Sequence, residues 1–529
     1  MIKYKKYELL LWIFVIIIFS YLSSNNFINN DNFFPIDYLF MLDYSEFYDS
    51  FAAFFPEFFP EFLIKPILYL FVTPLSSTYA PLAYVFYPGL LLFDNAQYSL
   101  WYVLFINLLI NIIIISKAYS VLKNKHIHFF RLLMMLLVGS IGSLIYLGSN
   151  MPYAFIFSST ILIIALATDD DSSFKKDTII LLFLYLLNYQ VIFLIPSYYL
   201  CKFLLFYDQK KWPDFKSLFP SICLLMTVFS SFLFFSKRGE VTGIHDKIGI
   251  NWNSGINNEF IIENNNYFNQ LIDYFSFLPR SIFYHFNEIF FDFKFISIIF
   301  WLIIIFIITS MIIMRKSSKY YIFGLSSLFV FTVLAFLGKT SFGPTRHTLF
   351  LVPVTIALFY PLFIRAGKNI KFLLYVTLIS LITVSTIHIN SRNNNIPGQL
   401  IKLSQIVIDN YDSDILLLNC TYQPFIENTF REQITNRKVY YYCGSRFQLI
   451  NSKLKSKGNL LVIDATGKNS DELKRSINSR IKEDLYNKND FKLISVLYES
   501  NYDMEQKDLT QRPRKTGLNV WKINNKITK

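Results

Sequence analysis

Charge is scarce in this chain: Asp, Glu, Lys and Arg make up only 16% of its 529 residues. An ordinary soluble domain carries roughly 25%. A single soluble core of this length needs more polar surface than that. Cysteine is almost as scarce, with four residues at 201, 223, 420 and 443 and no CxxC pair. That excludes a disulfide scaffold and a zinc or dithiol motif. Glycine recurs at no fixed period and apolar residues form no heptads, which excludes collagen-like and coiled-coil rods. No P-loop, GxSxG or HExxH occurs, so the common soluble-enzyme signatures are missing too. Apolar material dominates instead: 53% of residues are hydrophobic and 19% aromatic, with 57 Phe and 35 Tyr. The mean hydropathy is +0.38. Such a chain is too apolar to be disordered and reads as a polytopic membrane protein.

Apolar runs long enough to span a bilayer, or nearly so, occupy about 8–22, 98–116, 129–147, 151–168, 217–236, 293–314, 320–338, 347–364 and 371–389. The first follows Met1-Ile2-Lys3-Tyr4-Lys5-Lys6 and has the shape of a signal peptide. No small-residue cleavage site follows, so it is expected to be an uncleaved helix. Two stretches are irregular. Residues 64–93 are interrupted by Pro66, Pro74, Pro81 and Pro88, and residues 178–206 by Asn188-Tyr189-Gln190 and Pro196. Each is expected to be a hairpin or broken helix. Lys and Arg cluster at 3–6, 117–131, 175–176, 210–216, 315–319 and 365–371. The positive-inside rule puts all of these on the cytoplasmic side. If the two irregular stretches each return to the side they left, then 23–63, 237–292, 338–347 and everything after 390 lie outside.

The tail differs in kind. Short apolar strands are expected at 415–418, 439–442, 460–463 and 493–496, with charged helical sequence such as 470–485 between them. This alternation predicts a small parallel α/β domain. Its strands lack a Gly-rich nucleotide fingerprint, so a lid or docking module without chemistry is the simpler reading. From Asn390 onward 23 Lys and Arg stand against 15 Asp and Glu, within a net charge of +13. In a membrane-embedded chain this balance suits anionic lipid rather than nucleic acid. Cys420 and Cys443 follow the first two strands, whose ends would be neighbours in a parallel sheet. A disulfide and two free thiols are both open there.

The first external segment is strongly acidic: Asp31, Asp37, Asp43, Glu46, Asp49, Glu57 and Glu61 precede its first cation, Lys65. Carboxylates at a membrane surface suit general-base catalysis toward a hydroxyl, or a divalent cation, or are merely solvated. No other cofactor is implied. The aromatic repeat Phe54-Phe55-Pro56-Glu57-Phe58-Phe59-Pro60-Glu61-Phe62 suits the interfacial belt. Near the other end of the apolar part, Gly338-Lys339-Thr340-Ser341-Phe342-Gly343-Pro344-Thr345-Arg346-His347 is a short loop opening directly into a helix. Lys339, Arg346 and His347 there suit a phosphate, or snorkel to the interface. The segment 237–292 is polar and Asn-rich, and contains His245, Asp246, Arg280 and His285. It has no second ligand pair at metal spacing, so no metal site is expected.

These pieces together resemble the GT-C superfamily of membrane glycosyltransferases. The likeness is to bacterial members related to protein O-mannosyltransferases and to the lipid A aminoarabinose transferase. Residues carrying it are Ala80-Pro81-Leu82-Ala83-Tyr84, Phe93-Asp94-Asn95-Ala96-Gln97-Tyr98, Asn150-Met151-Pro152-Tyr153-Ala154, Asn188-Tyr189, and Gly343 to Pro353. The resemblance covers about 1–390. It implies a GT-C-like transmembrane domain over 1–390, of about 10–12 segments, and an extracytoplasmic α/β domain over 391–529. It also implies an enzyme of the inner (plasma) membrane with a cytoplasmic N-terminus. Such an enzyme moves a sugar from a polyprenyl-phosphate donor to an envelope lipid, glycan or protein. Asp43 is then the catalytic base, with Glu46 supporting and Asp37 in reserve. Arg346, with His347 and Lys339 behind it, meets the donor phosphate. The chain departs from the family where Tyr44 and Ser45 separate acids that are usually adjacent, and where Gly148-Ser149-Asn150 replaces Glu-Ala-Arg. A different substrate or drift toward inactivity would each account for this. Competing readings are a lipid-linked saccharide flippase, a glycan polymerase, and a scaffold docking through its basic tail. A flippase would carry internal repeats and mid-membrane charges, whereas here the charges are read as lying in the loops.

Overall fold

A computed structural model describes residues 2–26, 96–242 and 267–391, apart from 125, 148–151, 172, 211, 315–317, 339 and 344–347. In the tail it describes 403, 405–417, 439–441, 459–464, 491–500 and 516–523. The first part is helical: α1 (Ile2–Asn26), α2 (Ala96–Leu122), α3 (Ile127–Gly139), α4 (Ile141–Leu147), α5 (Ile156–Thr168), α6 (Phe174–Leu187), α7 (Ile195–Gln209), α8 (Phe215–Thr242), α9 (Tyr267–Tyr284), α10 (Phe295–Met314), α11 (Lys319–Phe336), α12 (Leu351–Arg365) and α13 (Lys368–Ser391).

Among the described residues, four helices are long and apolar enough to cross a membrane, over Phe105–Leu122, Phe295–Ile313, Lys319–Phe336 and Lys368–Ile387. At 1.5 Å per residue, α10 with its 20 residues reaches about 30 Å, the thickness of a hydrocarbon core. Its exposed side chains include Ile298, Leu302, Ile305, Phe306 and Ile312. In water such a face would be a liability, whereas lipid is its natural solvent. The buried core includes Phe129, Phe130, Leu133, Ile161, Leu184, Phe331, Val354 and Leu358. Close helix packing depends on a small residue at Gly324, where a Cβ would lie 2.8 Å from Leu358 Cβ and 3.1 Å from its Cα.

Two breaks shape the bundle. The run expected as one span over 129–147 divides at Ser140, which is extended (φ −98°, ψ 118°). Its hydroxyl accepts from Ser143 N and donates to the His285 carbonyl, so the side chain offers an alternative to the helix ladder. The irregular stretch 178–206 is α6 and α7 joined through a 3-10 turn, Tyr189–Phe193. Asn188 Oδ1 caps the turn by accepting from Gln190 N at 2.8 Å, and Pro196 sits in the first turn of α7, where its missing N–H costs nothing. Phe174 at the start of α6 lies 5.3 Å from Phe206 near the end of α7. The pair is therefore a hairpin whose two ends lie together.

Within the segment expected to be the polar loop 237–292, α8 runs on to Thr242 and α9 forms a further helix. Tyr274, Leu278, Ser281, Ile282 and His285 are fully buried, which is helical spacing on one face. The opposite stripe of Phe268, Ile272 and Phe275 is exposed and apolar.

In the tail, β1 (Asp414–Leu417), β2 (Val439–Tyr441), β3 (Leu460–Asp464), β4 (Phe491–Ser500) and β5 (Thr516–Ile523) form one sheet in the order β2-β1-β3-β5-β4. The all-parallel expectation is corrected. β2, β1 and β3 are parallel, but β5 pairs antiparallel with both β3 and β4. Leu460 to Ile463 are completely buried, as befits a central strand covered on both faces. β1 and β2 are parallel neighbours, but Cys420 and Cys443 lie outside the described residues.

Candidate functional site

The described residues build a polar anchorage around the loop that precedes α12. Helix α11 ends through Gly338, whose positive φ of 65° provides the left-handed turn. Thr340, Ser341, Phe342 and Gly343 follow, all buried. Ser341 Oγ accepts from Gly343 N at 3.2 Å, closing a local turn. The chain is next described at Thr348, whose Oγ1 donates back to the Gly343 carbonyl at 2.9 Å. Four residues, Pro344 to His347, thus lie between two flanks that are bonded to each other.

Helix α9 packs along both flanks. Near its N-terminal half, the Tyr274 ring meets Phe342 edge-on at 5.3 Å, and its hydroxyl bonds Thr332 Oγ1 of α11. Just past its C-terminus, His285 Nε2 lies 3.0 Å from Thr348 Oγ1. Because Thr348 spends its only hydrogen on Gly343, it accepts from His285, which fixes the Nε2–H tautomer. The backbone of His285 is held as well: its carbonyl accepts from Ser140 Oγ at 2.8 Å and Gly142 N at 3.0 Å. Its Nδ1 is buried with no hydrogen-bond partner and faces Gly142, where a Cβ would stand 2.3 Å away. Complete burial keeps the imidazole neutral and pushes its pKa down to about 3. The imidazole therefore serves as a neutral donor.

A second group of polar contacts joins charged side chains of the helices. Lys202, inside α7, reaches Asp177 Oδ2 of α6 at 3.4 Å and donates to the Asp169 carbonyl just past α5 at 2.8 Å. Tyr198 donates to the same Asp177 oxygen at 3.2 Å. Lys319 at the start of α11 pairs with Asp170. Arg131 of α3 grips Glu8 of α1 through two bonds of 2.6 and 2.9 Å. The reading that charges lie in the loops is therefore corrected: Lys202 and Asp177 are buried within helices. Arg280 of α9 donates to the Phe291 carbonyl, and its guanidinium lies 4.8 and 4.6 Å from the Phe277 and Phe291 rings.

Asp37, Asp43, Glu46, Lys339, Arg346 and His347 all lie outside the described residues, as do His245 and Asp246. What the structure supplies is the frame on either side of residues 344–347. No group of three or more potential metal ligands occurs among the described residues. The sequence did not single out His285 with Thr348, or Lys202 with Asp177. A lone Lys in the apolar run Tyr198 to Phe206, and a lone His among aromatics at 283–286, were the available signals. No protein-family model matches the chain, and no curated protein or solved structure matches it.

Proposed function

We propose that this chain is an integral-membrane glycosyltransferase of GT-C type. It moves a sugar from a polyprenyl-phosphate donor to an envelope lipid, glycan or protein acceptor on the external face. The observation that carries the reading is the bonded frame around residues 344–347. Arg346 and His347 lie, in sequence, between its two bonded flanks and just ahead of α12. A phosphate departing from a sugar needs cationic groups already in place as charge develops, because reorganisation at that moment costs rate.

In the proposed reaction, an acceptor hydroxyl oxygen attacks the anomeric carbon and the bond from that carbon to the phosphate oxygen breaks. The hydroxyl proton passes to Asp43, with Glu46 beside it in the acidic segment. Polyprenyl phosphate leaves against Arg346, supported by His347 and Lys339. The N-terminus and basic loops face the cytoplasm, and the C-terminal α/β domain lies outside.

The flippase reading has one observation in its favour, since Lys202 and Asp177 are ionisable groups buried within helices. Their further bonds to the Asp169 carbonyl and Tyr198 make them a tie between helices rather than a site awaiting cargo.

The test is a mass-spectrometric profile of envelope glycolipids, glycans and glycoproteins. It compares a deletion strain with complements carrying wild-type, Asp43→Asn and Arg346→Ala chains. One species should lose a fixed sugar mass in the deletion and in both substituted strains, with normal membrane insertion. Full restoration by Asp43→Asn would remove Asp43 as the base, and an unchanged profile in every strain would sink the enzyme reading.

A further inference from the structure

We propose that Arg280 anchors a phospholipid, holding the headgroup phosphate where α9 meets the start of α10. Arg280 is only 6% exposed, yet the chain uses just part of its guanidinium. Nε donates to the Phe291 carbonyl, and the Phe277 and Phe291 rings pack against the group. Nη1 and Nη2 meet no acceptor among the described residues. Ser281 Oγ and His285 Nδ1 are sealed without a partner, but these two nitrogens are not sealed. One edge of the group is therefore fixed by the chain, and the two terminal nitrogens are left for a ligand. A buried cation without a counter-charge is costly. Asp292, whose charge reaches Arg280, is exposed and stands beyond ion-pair distance.

The surroundings say which anion fits. Ser297 Oγ of α10 donates to the Ser276 carbonyl, one turn before Arg280. Pro279 leaves the Phe275 carbonyl without its helical donor, and Trp301 Nε1 of α10 supplies one at 2.7 Å. These two bonds seat α9 on the first turns of α10, with Arg280 beside them. The apolar span of α10 begins at Phe295, one helical turn in sequence beyond the carbonyl that Arg280 holds. The guanidinium thus stands where hydrocarbon gives way to headgroups. Phe275, Phe293, Phe295 and Ile298 around it are exposed, which suits acyl chains and the interfacial belt. An anion reaching this rim from the bilayer carries such chains. A phosphodiester also brings one negative charge, which a single guanidinium fork matches through two bonds. The inference rests on the membrane-spanning helices and is independent of the proposed transferase activity.

The experiment titrates the purified, delipidated full chain in maltoside micelles with phosphatidylglycerol, and with diacylglycerol as the phosphate-free control. Wild type is expected to bind phosphatidylglycerol at least about tenfold more tightly, the worth of a charge-assisted hydrogen bond. Arg280→Met is expected to abolish that preference. Arg280→Lys keeps the charge without the fork and is expected to keep only part of it. Asp292→Asn removes an exposed repelling charge, and is expected to tighten phosphatidylglycerol binding about twofold while leaving diacylglycerol unchanged. Equal binding of the two lipids by wild type would overturn the site, as would an unchanged preference in a folded Arg280→Met chain. Displacement of the lipid by equimolar inorganic phosphate would show a free-anion site instead. A preference of about tenfold or more for undecaprenyl phosphate over phosphatidylglycerol would show a site for that lipid instead. Either result overturns the assignment to phospholipid. The wild-type comparison and Asp292→Asn keep the test decisive even where Arg280→Met fails to fold.

Discussion

Neutralising Lys202 should destabilise the helical domain far more than any surface charge change, and a second substitution should give much of the loss back. The Lys202 and Asp177 side chains are only 2% and 4% exposed, 3.4 Å apart. Lys202→Met leaves a buried carboxylate with Tyr198 as its hydrogen-bond donor. Stranding one partner of a buried pair costs about 3–5 kcal/mol. Asp177→Asn strands the ammonium instead, relieved in part by the Asp169 carbonyl, and should fall at the lower end of that range. In the double variant no buried charge remains. What is lost is mainly the bond to the Asp169 carbonyl, about 1–3 kcal/mol for an acceptor left unsatisfied. The double variant should therefore be at least about 2 kcal/mol more stable than the sum of the single losses implies. Unfolding titrations in mixed micelles, followed by helical signal, would give the four free energies of the cycle. Additive losses would show that the two groups do not interact. Single losses within about 0.5 kcal/mol of zero would show that neither is truly desolvated.

Further substitutions probe other parts of the bundle. Gly324→Ala should cost about 1–3 kcal/mol, because its Cβ would press on both Cβ and Cα of Leu358 and force α11 and α12 apart. Gly367→Ala, with nothing within 4 Å, should be neutral within about 0.5 kcal/mol; equal effects at the two sites would refute the packing argument. Acid should weaken the frame around His285. An unfolded imidazole titrates near about 6.5 and the buried one near about 3, so the unfolded form takes up the proton first. Its contribution is complete above about pH 6.5 and falls by up to about 1.4 kcal/mol per pH unit as pH drops toward 3. Melting temperatures of wild type should fall more steeply between pH 7 and 4.5 than those of His285→Gln, and equal slopes would count against a buried neutral ring.

Local chemistry made much of the bundle legible. The apolar run at 293–314, charged only at Lys294, became α10 almost residue for residue, because an apolar stretch of that length has few other stable conformations. Asn188 and Pro196 announced the hairpin, the one by capping a turn and the other by opening a helix. Ser140 was not legible, since the run around it is continuously apolar and its hydroxyl takes its role from the His285 carbonyl, 145 residues away. Helix α9 was hidden by the Asn-rich sequence ahead of it, and by having apolar side chains on two faces rather than one. Strand β5 escaped because Asn519 and Lys522 interrupt its apolar pattern. Its antiparallel pairing with β3 turned an expected parallel sheet into a mixed one. The candidate site was legible as a loop with three potential cations. Its frame was not, because a bond between residues 63 apart exists only once α9 lies against both flanks.

The placement of buried polar groups follows a logic that a lipid solvent imposes. In hydrocarbon an unpaired polar group is costly wherever it sits, so a chain this apolar gains little by scattering such groups and much by pairing them where geometry must be exact. Among the described residues, one set ties the ends of α5, α6, α7 and α11 through Asp169, Asp177, Lys202, Asp170 and Lys319. A second binds α9, the break between α3 and α4, and the flanks of residues 344–347. The first set is self-contained, with each charge meeting an opposite charge or a carbonyl. The second is neutral throughout, its bonds running among hydroxyls, an imidazole and carbonyls.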